Sequence, residues 1–543
     1  MFFGGVGEIG KNLTALEFGN DIIIIDCGAS FPTTDMPGVD LVIPDVSYLI
    51  ANKDKVRGIV LTHGHEDHIG GLPFVLKEIP APIYGTRITL ALIETRLKEH
   101  DITGIKMVSV ENGDVISLGC FGIEFVNVSH SVAGSCALCI STPVGYIFHS
   151  GDFKIDYTPV AGNMTDLRRI AKIGDRGVLL LMCESTNIER PGQSMSERKV
   201  GESFKNIFAA NPERRIVIAT FASNIHRLQQ ILDIAQKFNR KVAFCGRSML
   251  SVVQATKAIG ELRFDDSQVV DIDRINNIPD KNLVIITTGS QGEPMSALTR
   301  MASDEMKIRL GYNDTVVISS MPIPGNERMI FNVINNLYRH GCKVIYESLA
   351  DVHVSGHAYQ EEIKLLHSLI KPKFFIPVHG ERRHQCKHVE LAESMGMGIQ
   401  NILIPDIGST ILLSKKKMAF SDSVPSGSML VDGLGVGDVG SSILRDRKHM
   451  AEEGLAIVLI TLDRHSGLVS EVDITSRGFV YGEEGDSLTE EAKTVVCQVS
   501  ESFDLKEAGD FTDYKNQIRK SLRNFFIKKI RRNPMVIPIV IEV

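Results

Sequence analysis

Short apolar runs separated by turn residues fill the first part of the chain. Residues 57–62 are apolar and rich in β-branched side chains, which is typical of a buried strand. Residues 13–18 and 21–26 flank a Gly-Asn pair, so this segment predicts a strand, a turn and a second strand. A helix is predicted near residues 86–99. The pattern indicates a mixed α/β domain that begins with paired strands.

The first glycines of the chain match a dinucleotide-binding spacing but occur in the wrong structural setting. Gly5, Gly7 and Gly10 fit the pattern G-x-G-x-x-G. In a dinucleotide-binding domain this motif opens a helix. Here the glycines lead into the strand pair at residues 13–26, so we reject dinucleotide binding.

From about residue 200 to residue 350 the pattern changes to alternating strands and helices. Such an alternation predicts βαβ units and a mostly parallel sheet, which we interpret as a separate domain inserted into the first. The predicted strands are 215–220, 241–245, 283–288, 315–319 and 343–347, and predicted helices include 224–238 and 326–339.

These patterns divide the chain into three domains and a linker. We expect the first domain at residues 1–200 and 351–420, with the inserted domain at 201–350 between its two parts. Residues 421–450 are rich in turn formers, which predicts a surface linker. The C-terminal part, 451–543, is predicted to be a small α+β domain built from strands 455–463, 467–474 and 535–543 and helices near 487–501 and 511–532.

Composition and charge describe an ordinary globular chain. The 543 residues are 43% hydrophobic and 23% charged, and the net charge of −7 gives no global attraction for a polyanion. Nucleic-acid binding would therefore need a local basic surface. The predicted helix 511–532 is a candidate, and a solvated charged face is the alternative interpretation. Its basic residues are Lys515, Arg519, Lys520, Arg523, Lys528, Lys529, Arg531 and Arg532.

The cysteines and the termini bear on the compartment. Nine scattered cysteines, an odd number, favour a reducing cytoplasm over a disulfide framework. Cys136 and Cys139 form a lone C-x-x-C pair in an apolar run, so we interpret them as structural thiols. We predict no signal peptide and no transmembrane helix. The first predicted strand begins almost at once, so a short native leader is expected to be missing.

The densest chemical signal follows the strand at residues 57–62. His63, His65, Asp67 and His68 fall within six residues of a loop at the predicted carboxyl end of that strand. Imidazole nitrogen and carboxylate oxygen are ligands for zinc and similar metals, and open α/β folds place their sites at such strand ends. His63 and His65 can chelate one ion, while Asp67 and His68 can turn toward a second.

Further polar residues end predicted strands or lie in loops between elements. Taken alone, each is more often structural, but beside the histidine motif we interpret them as parts of one site. They are His130, Asp152, Glu184, His353, His357 and His379.

The histidine motif resembles the signature of the metallo-β-lactamase superfamily. The later segments narrow the resemblance to the β-CASP nucleases and, within them, to the bacterial ribonuclease J family. It implies an α/β protein: an αββα metallo-β-lactamase sandwich with an inserted β-CASP α/β domain and a small C-terminal α+β domain. The segments that carry it span residues 4–12, 26–45, 62–71, 151–156, 184–192, 288–301, 319–326, 353–357 and 377–381.

The resemblance also implies a two-metal site. It assigns Asp152 as the bridge between the ions, which are usually Zn²⁺, with Mn²⁺ as the alternative. Two divalent ions roughly 4 Å apart can clamp a phosphodiester and activate water. One ion would be held by His63, His65 and His130, and the other by Asp67, His68 and His379.

The same resemblance implies catalytic and substrate-binding residues. Asp67 and Asp152 belong to the catalytic set, together with His357 as the proton donor and Glu184, which orients its ring. Here Glu184 replaces the aspartate that is usual in this motif and is one methylene longer. RNA phosphates would be held by His353, Val354, Ser355, Gly356 and His357. A pocket for the 5′ end would use Ser223, Arg247 and the turn 289–293, for which ordinary loop chemistry is the alternative.

We therefore predict a cytoplasmic two-metal ribonuclease that degrades 5′-monophosphorylated RNA from the 5′ end, with internal cutting as a second mode. Roles in ribosomal RNA maturation and messenger RNA decay follow from the resemblance alone. The expected partners are single-stranded RNA and a second copy or further copies of the chain, as a homodimer or homotetramer. A hetero-oligomer with a paralogue or an RNA-degradation complex is an alternative assembly. Two functional alternatives stay open: a non-catalytic partner subunit of this family and a small-molecule metallo-hydrolase.

Overall fold

The computed structural model describes residues 1–33, 35–293, 295–323, 326–433, 435–437, 440–463, 466–479, 483–503 and 511–543. The chain forms two compact units. The first comprises residues 1–30 and 43–429, and the second comprises residues 31–42 and 430–543. None of the helices in these described ranges combines the length and apolar character that crossing a membrane requires.

The first part of the chain builds two sheets. The predicted strand, turn and strand at its start are confirmed, as is the helix near residues 86–99. The elements are β1 (Phe2–Gly4), β2 (Leu13–Phe18), β3 (Asp21–Ile25), β4 (Leu41–Pro44), α1 (Ser47–Ala51), β5 (Val56–Val60), α2 (Glu66–Ile69), α3 (Leu72–Glu78), β6 (Ile83–Thr86), α4 (Arg87–Glu99), β7 (Met107–Val110), β8 (Val115–Leu118), β9 (Phe121–Asn127), β10 (Cys136–Thr142), β11 (Gly145–His149), α5 (Leu167–Asp175) and β12 (Val178–Glu184).

The middle of the chain forms a third sheet, with the strand order β14-β15-β13-β16-β17. Its neighbouring strands all run parallel, and helices pack on both faces, which confirms the predicted inserted α/β fold. Its elements are α6 (Arg198–Ala209), β13 (Arg215–Ala219), α7 (Ile225–Lys237), β14 (Lys241–Cys245), α8 (Arg247–Ala258), β15 (Leu283–Thr287), α9 (Ala297–Ala302), β16 (Asp314–Ile318), α10 (Glu327–Arg339) and β17 (Lys343–Ile345).

The chain then returns to the first two sheets, as predicted. Strand β18 (Phe374–Val378) lies beside β12 and runs parallel to it. The returning elements are α11 (Gln360–Ile370), β18 (Phe374–Val378), α12 (Arg382–Ser394), β19 (Thr410–Leu413) and β20 (Met418–Ser421). The first sheet thus has the order β1-β2-β3-β5-β6-β7, and the second has the order β18-β12-β11-β10-β9-β8.

The two sheets pack face to face and are covered by helices outside. Ile25 and Val60 of the first sheet meet Leu138 and Ile376 of the second in one buried apolar core. Helices α3 and α4 cover the outer face of the first sheet, and α5, α11 and α12 cover that of the second. The predicted αββα sandwich is confirmed, and burial of both faces explains why its central strands are continuous apolar runs.

The second compact unit contains the small α+β domain predicted at the C-terminus. Its three-stranded sheet has the order β24-β23-β25 among the described residues, and two helices pack on one face. The elements from residue 428 onward are β21 (Ser428–Asp432), β22 (Gly435–Val436), α13 (Ser441–Glu453), β23 (Leu455–Leu462), β24 (Val469–Arg477), α14 (Glu483–Glu501), α15 (Thr512–Ile530) and β25 (Met535–Glu542).

The structure differs from the predicted linker at 421–450. Helix α13 occupies the last ten residues of that range and continues to Glu453. Between Gly440 and Gly454 the sequence has no glycine or proline and many good helix formers, so local propensity favours a helix there. Gly454 ends the helix with a positive φ of 83°. The turn-rich composition ends near residue 440, so it does not support a linker over residues 441–450.

Candidate metal centre

The loop after β5 carries the dense histidine motif, and its shape follows from the elements around it. Strand β5 ends at Val60, and α2 begins at Glu66 after His65 in an extended conformation. His63 and His68 are buried, with 0% and 2% of their surfaces exposed. The carboxyl end of a buried strand therefore presents these imidazoles at the edge of the sandwich, as the sequence predicts.

His63, His65 and His130 converge as the first group of nitrogens. The Nδ1 atom of His65 lies 3.0 Å from Nε2 of His63 and 3.1 Å from Nε2 of His130. His130 reaches the site from the loop after β9. These are three borderline nitrogen ligands at one point, which is a donor set suited to zinc.

Asp67, His68 and His379 form the second group, on the other side of Asp152. The carboxylate of Asp67 lies 3.1 Å from Nε2 of His379 and 3.6 Å from Nε2 of His68. His379 follows β18, so this candidate ligand comes from the returning part of the chain. The structure thus brings together all seven residues that the sequence analysis assigned to metal binding.

Asp152 lies between the two groups. Its Oδ2 atom is 3.6 Å from Nε2 of His63 and 3.2 Å from Nε2 of His68, and it is buried without a hydrogen-bond partner. An unpartnered buried carboxylate oxygen is costly unless a cation or a donor completes it. The residues therefore fit a bound metal, and Asp152 belongs to both groups of candidate ligands.

Hydrogen bonds on the far side of two rings fix which nitrogen faces the centre. His68 donates from Nδ1 to Oδ2 of Asp26 at 2.7 Å, and His130 donates from Nδ1 to the carbonyl of Gly356 at 2.7 Å. Each ring therefore carries its lone pair on Nε2, the nitrogen on the side of the centre. In His68 this nitrogen lies 3.1 Å from the side-chain amide nitrogen of Asn12. Supporting contacts of this kind orient metal ligands and raise their basicity.

The two groups differ in electrostatics. Burial lowers the pKa values of His63 and His130 well below the ordinary range and lowers that of His65 to about 4. Burial also disfavours protonation of His379, but the carboxylates of Asp152 and Asp67 raise its pKa to about 10. Neutral imidazoles on one side and concentrated carboxylates on the other both favour a divalent cation.

Several supporting residues escaped the sequence analysis. Asn12 donates from its amide to the carbonyl of Asp67 at 3.0 Å, and the hydroxyl of Thr62 donates to Asp26 at 2.8 Å. Thr186 lies 3.0 Å from Nδ1 of His379. Asp26 directly follows β3. Because other residues of the site also follow strands, this position in the sequence could have identified Asp26. The roles of Asn12 and Thr186 depend on contacts distant in sequence.

Two residues of the centre have left-handed backbone conformations. The φ values of Asp26 and His379 are 58° and 50°. Such conformations are uncommon for residues with a Cβ atom and cluster at functional sites, where the surrounding structure enforces them. Here His379 faces Asp67 and Asp152, and Asp26 holds His68 from the side away from the centre.

Half-buried His357 and fully buried Glu184 form a pair beside Asp152. Glu184 is 1% exposed and accepts from Nδ1 of His357 at 2.7 Å, while its other oxygen accepts from the amide of Phe153 at 2.7 Å. Burial alone would lower the pKa of His357, but the carboxylates of Glu184 and Asp152 raise it above its ordinary value. A protonated imidazole held by a carboxylate is suited to donate a proton from Nε2.

The loop that carries His357 is held from both sides. Asn187 donates to Oγ of Ser355 at 2.6 Å and to the carbonyl of His357 at 3.3 Å. Val354 is buried in the core of the inserted domain, and the carbonyl of Gly356 accepts from His130. Three residues predicted to bind substrate are therefore also structural anchors of this loop.

The residues predicted for a 5′-end pocket lie elsewhere, at the carboxyl ends of the inserted sheet. Ser223 follows β13, and Arg247 is exposed at the start of α8 after Gly246, whose φ is 108°. In the turn after β15, Gln291 donates to the carbonyl of Met321 at 2.9 Å. These residues share one edge of the sheet and are not part of the histidine cluster.

Two other sequence interpretations can be compared with the structure. Cys136 and Cys139 are buried, and burial raises the pKa of Cys139 to about 12, which suits inert structural thiols.

The basic helix is α15, where Lys529 pairs with Glu491 at 2.7 Å. Its inner face packs through Ile518 and Leu522, so its charges lie on the outer face.

Comparisons with protein families agree with this architecture. Residues 6–159 match the metallo-beta-lactamase superfamily, and residues 213–337 match "Ribonuclease J, beta-CASP domain". Residues 342–405 match "Zn-dependent metallo-hydrolase RNA specificity domain", and residues 442–543 match "Ribonuclease J C-terminal domain".

Similar proteins cover the chain from end to end. Ribonuclease J2 of Bacillus subtilis is 40% identical over 99% of this chain and 98% of its own length. Ribonuclease J of Thermus thermophilus is 41% identical over 99% of this chain and 94% of its own length. A crystal structure of a protein of unknown function from Enterococcus faecalis covers 77% of this chain and 99% of its own, with a TM-score of 0.53 and 16% identity. That last likeness concerns the fold alone.

Proposed function

The chain belongs to the ribonuclease J family, and on that premise we propose that it degrades 5′-monophosphorylated RNA from the 5′ end with two divalent metal ions. As a member of the family it is a metal-dependent nuclease that hydrolyses RNA. The observation that carries the metal-dependent part of the proposal is the unpartnered Oδ2 atom of buried Asp152, which lies between two groups of candidate ligands. Endonucleolytic cutting is included as a second mode, because nothing in such a centre itself requires an RNA end.

We assign the ligands as the sequence predicted. His63, His65 and His130 would hold one ion, Asp67, His68 and His379 the other, and Asp152 both. The neutral imidazoles favour Zn²⁺ over harder ions, and Mn²⁺ is the alternative. Bound divalent ions would activate water and neutralise the negative charge that develops on the phosphodiester.

His357 would protonate the leaving 3′-oxygen of the RNA. Its Nδ1 atom donates to Glu184, so the proton available for transfer is on Nε2. Glu184 holds the ring and stabilises its charged form, since its second oxygen is fixed by the amide of Phe153. A positioned acid of this kind contributes about 10²- to 10⁴-fold to the rate.

Recognition of the 5′ end would give the reaction its direction. Arg247 is exposed at the first turn of α8, where the helix N-terminus also favours an anion. A guanidinium can bind a terminal monophosphate through two parallel hydrogen bonds. We propose Arg247 and Ser223 as residues of this pocket, and Ser355 and Gly356 as contacts for phosphates nearer the cleaved bond.

We further propose that the chain self-associates, as a homodimer or homotetramer, through its C-terminal sheet. One face of that sheet exposes a row of aliphatic side chains on its edge strand β25, with Ile537, Ile539 and Ile541 exposed by 37%, 41% and 43%. A contiguous apolar face of this kind is typical of an interaction surface. A second copy offers the same sheet, so the contact would be self-complementary.

We also propose a cellular role, which rests on the family resemblance. Ribosomal RNA maturation and messenger RNA decay in the cytoplasm fit a 5′-end-directed ribonuclease. All nine cysteines are free, which fits a reducing compartment.

End-labelled RNA tests the proposed function directly. The purified protein should release mononucleotides first from the 5′ end of a 5′-monophosphorylated RNA, and a chelator should stop the release. Added zinc or manganese should restore it, and metal analysis of the same sample should give two ions per chain. No RNA cleavage at any metal concentration, or mononucleotides released first from the 3′ end, would contradict the proposal.

A further inference from the structure

Arg227 lies fully buried beneath the loop that carries His353 and His357. Its exposed fraction is 0%, although it belongs to helix α7 of the inserted domain. The guanidinium donates to both oxygens of Glu197, at 2.7 and 3.0 Å, and to the carbonyl of Ser319 at 2.8 Å. A bidentate pair of this kind holds a guanidinium in one orientation.

The same guanidinium fixes the protonation of His353. Its Nη1 atom lies 3.2 Å from Nδ1 of His353. Arginine has only donors, so Nδ1 must carry a lone pair and accept the hydrogen bond. His353 is therefore the neutral tautomer with its proton on Nε2. Burial and the charge of Arg227 also lower the pKa of His353 well below its ordinary range, which agrees with a neutral ring.

The second ring nitrogen of His353, Nε2, carries the proton. The Nδ1 edge faces buried Arg227, whereas the residue as a whole is only half-buried. The residue before it is tied to the inserted sheet, because Ser319 donates from its hydroxyl to the carbonyl of Val352 at 2.6 Å. The ring thus has one anchored edge and one edge that offers a single N–H donor beside the catalytic loop.

We propose that Arg227 is a positioning residue that holds His353 as a neutral Nε2–H donor for a phosphate oxygen of bound RNA. The inference rests on the proposed function, since it names how the inserted domain acts on that substrate. Arg227 itself is too deeply buried to touch RNA, so its effect passes through His353. His353 and His357 then have separate tasks: the neutral ring grips a phosphate, and the charged ring transfers a proton.

The substitution Arg227→Lys tests this assignment. Lysine keeps the positive charge opposite Glu197 but cannot bind both oxygens and also reach His353. We expect KM for 5′-monophosphorylated RNA to rise about 10-fold, the lower end of the range for one hydrogen bond to a charged group. The value of kcat should change less than about 3-fold. Fluorescence anisotropy with labelled RNA, in the presence of a chelator that prevents cleavage, should show a similar rise in Kd.

Arg215→Lys is the matched control. Arg215 forms the same kind of bidentate pair with Asp314, at 2.6 and 2.9 Å, at the opposite end of strands β13 and β16. It lies in the same domain, and its hydrogen bonds to Asp314 and to the carbonyl of Arg309 involve no histidine. This variant should keep the wild-type KM even if its melting temperature falls as much as that of Arg227→Lys.

A double substitution separates positioning from general stability. In a His353→Ala background, Arg227→Lys should change KM less than about 2-fold, because the group through which it acts is gone. If Arg227→Lys does not fold, Glu197→Gln is the substitute variant. Glu197→Gln weakens the contact that holds the Arg227 guanidinium, and it should raise KM without changing kcat. An equal loss with and without His353, or a fall in kcat at unchanged KM, would overturn the proposal. A wild-type protein that cleaves no RNA would overturn the proposed function instead.

Discussion

Replacement of Glu184 by glutamine isolates the charge that holds the catalytic imidazole. Glutamine has nearly the same shape, so its oxygen can still accept from the amide of Phe153, which lies 2.7 Å from the native carboxylate. What is lost is the carboxylate that accepts from Nδ1 of His357 and raises the pKa of that ring. The substitution should therefore leave the fold and the metal ligands in place.

The magnitude follows from the bond that is weakened. A hydrogen bond to a charged group contributes about 1.5–3 kcal/mol, which corresponds to about 10- to 150-fold in rate. We expect kcat on saturating 5′-monophosphorylated RNA to fall by that factor. The loss should not exceed that of His357→Ala, which removes the acid itself and should cost about 10²- to 10⁴-fold.

The assay is steady-state cleavage of end-labelled RNA at saturating concentration, with metal analysis of each variant. Glu362→Gln is the control, because Glu362 is also 1% exposed and hydrogen-bonded to backbone amides, including that of Ile155 at 2.8 Å, but it contacts no histidine. Glu184→Gln with wild-type kcat would refute the reasoning. So would a variant that has lost metal and regains full activity when metal is resupplied, since Glu184 would then be a ligand.

Three further predictions address the metals, the C-terminal domain and the polarity. His65→Ala or Asp152→Asn should reduce bound metal and lower cleavage by orders of magnitude without changing the circular dichroism spectrum; full metal content and activity would contradict the ligand assignment. Truncation after Met429 should lower the oligomeric mass in light scattering and weaken RNA processing while the metal content stays unchanged, and an unaltered mass would exclude the C-terminal sheet as the contact. Arg247→Ala should narrow the preference for 5′-monophosphate over 5′-triphosphate RNA more than it slows internal cutting, and equal rates of the wild type on both RNAs would refute the pocket.

The parts of the site that could be predicted are those whose chemistry is local. His63, His65 and His68 lie within six residues, in the loop after β5 and the short helix α2, and their spacing leaves few other interpretations. The alternation of strands and helices likewise predicted the inserted sheet, because periodicity reports which faces are buried. Asp152 and His379 needed the resemblance to a family, since each is a single residue at a strand end.

The rest depends on contacts between distant segments, which no local pattern contains. Arg227 looks like an ordinary basic residue of an amphipathic helix, and only the fold brings it to His353. The left-handed backbone of Asp26 carries no sequence mark comparable to a glycine. Helix α13 was missed for the opposite reason, since its own sequence favours a helix but follows a turn-rich stretch.

The pairing of β18 with β12 has a consequence for synthesis of the protein. Every other proposed ligand is present once residue 152 has left the ribosome, but His379 is added roughly 200 residues later, after the whole inserted domain. At about 5–20 residues per second this interval lasts on the order of 10–40 seconds. A nascent chain therefore cannot complete the second ligand group or place His357 while the inserted domain is still being made. The nuclease stays incomplete beside its own messenger until nearly three quarters of the chain has been translated.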